Sequence, residues 1–480
     1  MKQKKPKTKI LFASAELTPL AKVGGLADVA GSLPKALHTL NIDIRVIIPY
    51  YQNILKQKIS AQKIHANLIV PFGNKKYKVD IFKSCIPQSH VPLYLIYHKK
   101  FLSTGPIYNR RPERFMFFSQ AINEFLKINI FNPDIIHIND WHPANLISLL
   151  QNDSTHTNKY RTLLTIHNLA MQGKLPNNKM KLFHPSLWQK KSTNEYNTMR
   201  QAIISSDLIN TVSKKYAREI LTPEYSCHLL PLLHKHQNKI YGILNGIDYS
   251  LFSPQKDKFL KKNYSIHSMT NKSINKLFLQ KTCNLPLDNS LPIIGLVSRL
   301  TKQKGIQLII EIGDKLAKLN AQYIFTGTGD KKLEQGLKNL HTKYPNKFYF
   351  LNFFDVPFGQ QIYGGADLFL MPSVFEPCGL GQLIAMAYGT VPIVRATGGL
   401  KDTVKNNKIG FTFNAINSSQ LLSTVKKSIS VYQNKKIWSN IVFNAMSADF
   451  SWSASALAYQ KLYSKLLSSK KCPSFFPTKS

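Results

Sequence analysis

Hydrophobic positions along the chain recur in short blocks that switch between a strand-like and a helix-like period. Residues 9–14 form a compact apolar run of the kind that buried parallel strands show. A paired-glycine turn at Gly24 and Gly25 leads from it into the helix-patterned stretch ADVAGSLPKALHTL, and residues 42–49 form a second apolar run. Strand, helix and strand in this order predict a βαβ unit. Pro34 lies inside the helical pattern, where its ring removes a backbone donor and crowds the carbonyl one turn earlier, so a kink or a restarted helix is expected there. Helix-like 115–128, strand-like 134–139, helix-like 144–150 and strand-like 160–167 follow, and a strand-like run at 207–213 precedes KKYAREIL. The first half of the chain therefore reads as α/β.

From residue 255 the chain becomes polar and lysine-rich (QKDKFLKKNYSIHSMTNKS), as a linker and its flanking helix would. Alternation then restarts. Strand-like PIIGLVSRL precedes helix-like KGIQLIIEIGDKLAKL, and strand-like QYIFTGTGD precedes KKLEQGLKNLHTKYP. After these come KFYFLNFF, a short helix, DLFLMPS, a helix opened by EPCGLGQLIAMAYG, and VPIVRA. Two successive doubly wound sheets predict two lobes with a cleft between them, and ligands of such sheets sit outside the carboxyl ends of the strands. The predicted boundaries are 1–250 and 251–451, with a final amphipathic helix over 452–470.

Composition narrows the class. A chain of 480 residues exceeds one core, given roughly 100–200 residues per domain. Its 43% hydrophobic and 11% aromatic residues are enough for globular cores and exclude a disordered or fibrous chain. The 64 Lys+Arg against 25 Asp+Glu leave a net charge of +39, a field that attracts polyanions. These basic residues are spread from Lys2 to Lys479 and not gathered on one face or tail, so no nucleic-acid partner is expected. Five cysteines (Cys85, Cys227, Cys283, Cys378, Cys472) are widely separated without a CxxC pair, the pattern of reduced thiols in a cytoplasmic protein. The opening MKQKKPKTKILFASAEL imitates a signal peptide, but its apolar run from Ile10 to Ala15 is too short and Glu16 interrupts it. No stretch reaches the ~20 apolar residues of a membrane helix.

Three constellations carry chemistry. Lys22, Gly24, Gly25 and Asp28 lie between a strand and a helix, where glycine N–H groups, the helix N-terminus and an ammonium group favour a phosphate; the plain alternative is a tight turn. Arg299 and Lys304, with Gly305, repeat the design in the second half and are spaced to reach one diphosphate, Arg299 by its planar fork and Lys304 as a point charge; the plain alternative is two solvated charges. Glu376 follows DLFLMPS beside the turn Cys378, Gly379, Leu380 and Gly381, placed to touch a sugar hydroxyl or developing positive charge. Position 384, where some retaining transferases have a second acid, is Ile384, so a two-carboxylate hydrolase is disfavoured. Thr397 and Gly398 open one further glycine turn. In the first half His137, Asp140, His142, His167 and Asn168 stand at strand ends; His137 reads as a hydrogen-bonded core histidine, and the histidine spacing offers no metal site.

Taken together these residues resemble the bacterial glycogen synthase and plant starch synthase family, glycosyltransferase family 5. The match runs through nearly the whole chain, in order: SAELTPLAKVGGLADVAGSLPKAL, IHINDWHPA, TIHNLAMQG, TVSKKYAREI, ILNGIDYSLFSP, VSRLTKQKG, GTGD, PSVFEPCGLGQLIAMAYGTVPIVRATGGLKDTV and DFSWSASALAYQKLY. The resemblance implies a GT-B fold, two Rossmann-like doubly wound α/β lobes facing a central cleft, with the terminal helix packing back on the first lobe. It implies retaining transfer of glucose from ADP-glucose to the non-reducing end of an α-1,4-glucan, with a nucleotide sugar and an α-glucan polymer as partners and no metal cofactor. Spacing specifies neither ADP over UDP nor an oligomeric state.

The resemblance also implies roles. Lys22, Gly24 and Gly25 would meet the donor's phosphate and sugar, Arg299 and Lys304 its diphosphate, and Glu376 the transferred glucose; the glycine turn at Thr397 and Gly398 reads, from its residues, as a nucleotide or phosphate contact. His167 would sit by the anomeric centre, Asp140, Asn168 and Asn245 would line the sugar and acceptor site, and Cys378, Gly379 and Leu380 would present backbone N–H groups to the glucose. Departures from the family pattern are Val374 and Ala387 where basic residues are usual, Arg200 for lysine, and His228 and Pro231 in the 227–233 loop where glycines are common. Two other readings stand beside this one. A GT-B transferase with a small sugar acceptor shares the features, and a non-catalytic glucan- or polyanion-binding protein is opposed by the joint presence of Lys22, His167, Arg299, Lys304 and Glu376.

Overall fold

The computed structural model describes residues 7–109, 111, 113–153, 155, 159–176 and 195–469. Cys472 and position 470, the predicted end of the terminal helix, lie outside them. The chain divides into two compact units. The first comprises the described residues up to Val212, Ala217–Asn245 and the stretch from Trp452 onward; the second comprises Ser213–Tyr216 and Gly246–Ser451.

In the first unit the strands of the main sheet are β1 (Lys9–Ala13), β2 (Asp43–Pro49), β3 (Gln62–Phe72), β4 (Lys75–Cys85), β5 (Pro92–Tyr97), β6 (Ile135–Asn139), β7 (Arg161–Ile166), β8 (Leu208–Thr211) and β9 (Ile240–Gly242). They form one sheet in the order β9-β8-β7-β6-β1-β2-β5-β4-β3. Strand β1 pairs in parallel with β2 on one side and β6 on the other, with Lys9 opposite Asp43 and Phe12 opposite His137. A strand buried on both faces needs apolar residues at consecutive positions, which is why Ile10, Leu11, Phe12 and Ala13 form a run and do not alternate. The antiparallel strands β3 and β4 were not legible in the pattern, because lysines and exposed positions break their alternation at the edge of the sheet.

Helix α1 (Gly25–Thr39) runs unbroken through Pro34, so the expected restart does not occur. Burial of Val29, Ala30, Leu33 and Leu37 in the core holds the turn from which the proline removes a hydrogen bond. Trp452, Ala456, Tyr459 and Tyr463 of the terminal helix join the same core cluster. Tyr463 Oη lies 2.8 Å from His137 Nδ1, and Thr165 Oγ1 lies 2.7 Å from its Nε2. His137 is thus a satisfied core histidine.

The second unit carries β10 (Ile293–Val297), β11 (Gln322–Thr326), β12 (Phe348–Leu351), β13 (Leu368–Met371), β14 (Val391–Arg395) and β15 (Phe411–Phe413) in the order β12-β11-β10-β13-β14-β15, all parallel. Both sheets therefore reverse their strand order beside a central strand, between β1 and β6 and between β10 and β13, and loops diverge at such points to leave room for a ligand. The stretch expected as one helix after β10 is two, Ile306–Glu311 and Gly313–Ala317. Gly313 packs so tightly on Leu340 that an added Cβ would lie 2.3 Å from its Cδ2. Helix α2 (Thr270–Thr282) starts within the lysine-rich stretch, and its Lys272 and Lys276 are buried and not solvated. The main stretch of the second unit begins and ends side by side, since Ile247 N donates to Phe450 O at 2.8 Å. No helix among the described residues is long and apolar enough to cross a membrane.

Candidate functional site

In the first unit, the loop that leaves β1 folds back on itself before α1 begins. Leu17 and Ala21 exchange backbone hydrogen bonds of 2.9 and 2.7 Å, and Gly31 lies against Thr18 so closely that a Cβ there would meet its carbonyl oxygen at 2.7 Å. Glu16, buried beneath the loop, accepts from Val23 N at 2.9 Å and Gly24 N at 2.8 Å on one oxygen, and from the Tyr108 hydroxyl on the other. Part of the N–H array expected to face an anion is thus closed by an internal carboxylate. Lys22 is exposed and pairs with Asp28 at 2.7 Å. Glu16 was not singled out in the sequence; its acid at the carboxyl end of a central strand was the available signal.

Two further strand ends lie on the same edge of this sheet. Asp140, just after β6, takes the left-handed backbone conformation at φ 58°. Its Oδ1 accepts from His167 N at 2.8 Å and Asn168 N at 3.4 Å, so the loop after β7 is hung on it. Burial pushes the Asp140 carboxyl up to about 7, against those two N–H groups that favour its charged form. The His167 ring Nε2 lies 3.1 Å from Asn139 Oδ1, and burial lowers its pKa. His142 is buried, stacks on Tyr108 at 5.1 Å between centroids, and has no hydrogen-bond partner for Nδ1 among the described residues. Asn245 is likewise buried with an unpartnered Oδ1, an acceptor that a bound hydroxyl would satisfy.

In the second unit the loops after β10 and β13 interlock. Gly305 adopts φ 70°, and a Cβ there would lie 2.0 Å from Pro372 O. Val374 N donates to Gln303 O at 2.8 Å and Gln303 Nε2 to Phe375 O at 3.2 Å. This places the Lys304 ammonium on the buried Glu376 carboxylate, which also accepts from Ser373 Oγ at 3.1 Å. Lys304 thus meets Glu376 in this structure, while Arg299, expected with it to reach one diphosphate, is exposed. Arg395 clamps the turn from behind, donating to Ser373 O at 2.8 Å and to Val374 O. The backbone of Val374 is held at both N and O, so loss of a basic side chain there leaves the turn in place. Gln303 and Arg395 escaped sequence reading because they hold backbone atoms, which no motif advertises, and Ser373, whose hydroxyl donates to Glu376, passed as part of the strand-end run DLFLMPS.

The following turn is equally constrained. Gln382 Nε2 lies 3.1 Å from Cys378 O and 3.0 Å from Gly379 O, fixing both carbonyls inward and turning the adjoining N–H groups the other way. Gly379 supplies the left-handed conformation this needs, at φ 76°. Gly399 N bonds Glu376 O at 3.1 Å, and a Cβ on Gly399 would strike Cys378 O at 2.2 Å. Thr397 and Gly398 are buried beside this contact. In the departing loop, Cys227 and His228 hold φ values of 50° and 67°, so the backbone keeps a glycine-like shape with larger residues, and Pro231 sits in the first turn of the helix Leu230–Lys235, where its missing N–H is harmless. Among the described residues no group of three or more His, Cys, Asp or Glu side chains could hold a metal ion.

Comparison with known proteins adds to this geometry. Residues 9–235 match the family model described as starch synthase catalytic domain, and residues 283–441 match glycosyl transferases group 1. The chain is 42% identical over 479 residues to a glycogen synthase of Caldicellulosiruptor bescii, covering 96% of this chain and 100% of the relative. It is 39% identical over 476 residues to one from Kosmotoga olearia, covering 96% and 98%. Among solved structures, the catalytic domain of starch synthase IV from Arabidopsis thaliana, bound to ADP and acarbose, superposes with a TM-score of 0.88 at 30% identity, covering 96% of this chain and 100% of that one. A sucrose-phosphate synthase from Thermosynechococcus elongatus, at TM-score 0.62 and 18% identity over 96% and 99% of the two chains, shares the fold.

Proposed function

The chain belongs to the glycogen and starch synthase family of GT-B glycosyltransferases, and from that premise we propose that it moves glucose from ADP-glucose to the non-reducing end of an α-1,4-glucan with retention at the anomeric carbon. The observation that carries the residue assignment is the cluster Lys304, Glu376 and Ser373 at the carboxyl edge of the second sheet, one buried acid matched by one cation. The ADP and acarbose held by the Arabidopsis structure support a nucleotide donor and a glucan acceptor here.

Departure of the nucleotide diphosphate places negative charge on its phosphate oxygens, so preorganised cations lower the barrier directly. Arg299 and Lys304 take that role, Lys304 exchanging part of its contact with Glu376 for the diphosphate. Glu376, freed in proportion, meets the hydroxyls of the transferred hexose, with the N–H groups of the Cys378 to Leu380 turn beside it. In the first unit Lys22 attends the donor, while His167, Asp140, Asn168 and Asn245 position hexose and acceptor. This division of work uses no metal cofactor. The four described cysteines are free thiols, which supports a reducing, cytoplasmic setting.

The test is incorporation of labelled glucose into glycogen by the purified protein, with ADP-glucose and UDP-glucose in parallel and with chelator present. Incorporation from ADP-glucose that survives the chelator is expected. No incorporation from either donor overturns the activity, and faster use of UDP-glucose overturns the donor assignment.

A further inference from the structure

A cavity of about 600 Å³ opens in the second unit at the edge opposite the candidate site. Its wall includes Asp367, Gly389 and Asn289, which precede β13, β14 and β10, so it lies at the amino ends of the strands, whereas Glu376 and Lys304 follow their carboxyl ends. Helix α2 and helix α3 (Lys435–Ser447) form its sides. The volume falls in the ~300–1,000 Å³ range of small-ligand sites.

Two features define what would fit. The charges on the floor are already matched: Lys276 Nζ lies 2.8 Å from Asp367 Oδ2. Lys272 Nζ is surrounded by Thr390 Oγ1 at 2.8 Å, Gly364 O and Tyr388 O at 3.0 Å, and Tyr363 O and Tyr264 Oη at 3.3 Å. A floor with its ammonium groups saturated has no charge left over to select an anion. The mouth offers rings and neutral hydrogen-bonding groups, and its lysine, Lys435, sits with its ammonium 4.0 Å over the Tyr432 ring. Phe443 is 56% exposed there, and Trp438 stands edge-on to Tyr432 at 5.0 Å, with Ser273, Ser439 and Asn440 beside them. Aromatic faces next to amide and hydroxyl groups match the two characters of a pyranose, whose C–H faces are apolar and whose rim is hydroxylated.

We infer that this cavity is a second glucan-binding site, which holds a segment of α-1,4-glucan away from the reacting end. The inference rests on the proposed acceptor being a glucan polymer. A branched polymer presents many chain segments, so one held at the remote edge raises the local concentration of ends for the other edge without any new contact to the donor.

Native gel electrophoresis with and without glycogen in the matrix reads binding directly, and initial rates on glycogen and on maltotetraose read its effect on turnover. Phe443→Ala removes an exposed ring, and Ser273→Trp fills the mouth from an exposed position on α2. Both are expected to weaken glycogen retention and raise KM for glycogen about two- to tenfold, the factor that loss of one aromatic contact gives, with kcat and KM on maltotetraose unchanged. Retention equal to the parent in both variants overturns the site, as does an equal fall on the two acceptors. Failure of the parent itself to extend maltotetraose would refute the acceptor assignment, while the gel would still report on the cavity.

Discussion

The Lys304–Glu376 pair sets the strongest expectations for single residues. Both groups are largely removed from water, with side-chain exposures of 17% and 7%, and removing one partner of such a pair strands the other's charge. Lys304→Met should therefore lower unfolding free energy by about 3 kcal/mol and abolish most turnover, measured by urea unfolding and by glucose incorporation. Glu376→Gln also leaves Lys304 without its counter-charge but keeps an amide oxygen to accept from Lys304 Nζ and Ser373 Oγ, so it should cost less stability than Lys304→Met while its activity is lost. Glu16 sets a second expectation. Glu16→Ala leaves Val23 N, Gly24 N and the Tyr108 hydroxyl without their common acceptor, each unmade bond costing about 1–3 kcal/mol. Turnover should fall at least about tenfold with a raised KM for the donor, whereas an unchanged KM would show that Glu16 does not shape the Lys22 loop.

Between elements, the contacts that matter are backbone to backbone and leave little room for substitution. Gly305→Ala forces a Cβ onto Pro372 O and holds alanine in the left-handed region, a conformation that alone costs about 1–2 kcal/mol. A lower melting temperature and reduced turnover should appear together, because the displaced partner is the turn that carries Glu376. Tyr463→Phe tests the seating of the terminal helix: it deprives His137 Nδ1 of its 2.8 Å partner and should cost about 1–3 kcal/mol of stability with turnover per folded molecule retained. These are also the places where sequence was and was not sufficient. The βαβ alternation, the central strands and the glycine turns were legible because a doubly covered parallel sheet needs continuous apolar runs punctuated by turn residues. The hairpin formed by β3 and β4 was hidden by edge lysines, the unbroken passage of α1 through Pro34 by a tertiary core that outweighs local propensity, and Gln303, Arg395 and Glu16 by the fact that they bind backbone atoms, which carry no sequence signature.

For the whole molecule, acid should be the weak direction. Burial holds His137, His142 and His167 neutral down to about 3, below the ordinary value of ~6.5, so in that window only the unfolded chain takes up their protons and stability drops as pH falls. Asp140, raised by burial to about 7, binds its proton first in the folded chain and opposes them between about 7 and 4. Three histidines against one carboxyl leave two protons, or about 2.7 kcal/mol lost per pH unit between about pH 6 and 4; urea midpoints at pH 7.5 and 5.0 measure it, and a midpoint that rises at pH 5.0 would reverse the sign. One last feature bears on how the molecule comes to exist. Tyr459, Tyr463 and Trp452, which complete the core beneath β1 and β6, follow the whole of the second unit in sequence. The first unit must therefore wait, with its apolar surface unfinished, until the second has been made, while the stretch from Gly246 to Ser451, whose two ends are tied together, can fold as soon as it emerges. A chain cut short within the helix Trp452–Ser468 would thus spoil the part of the protein that was synthesised first.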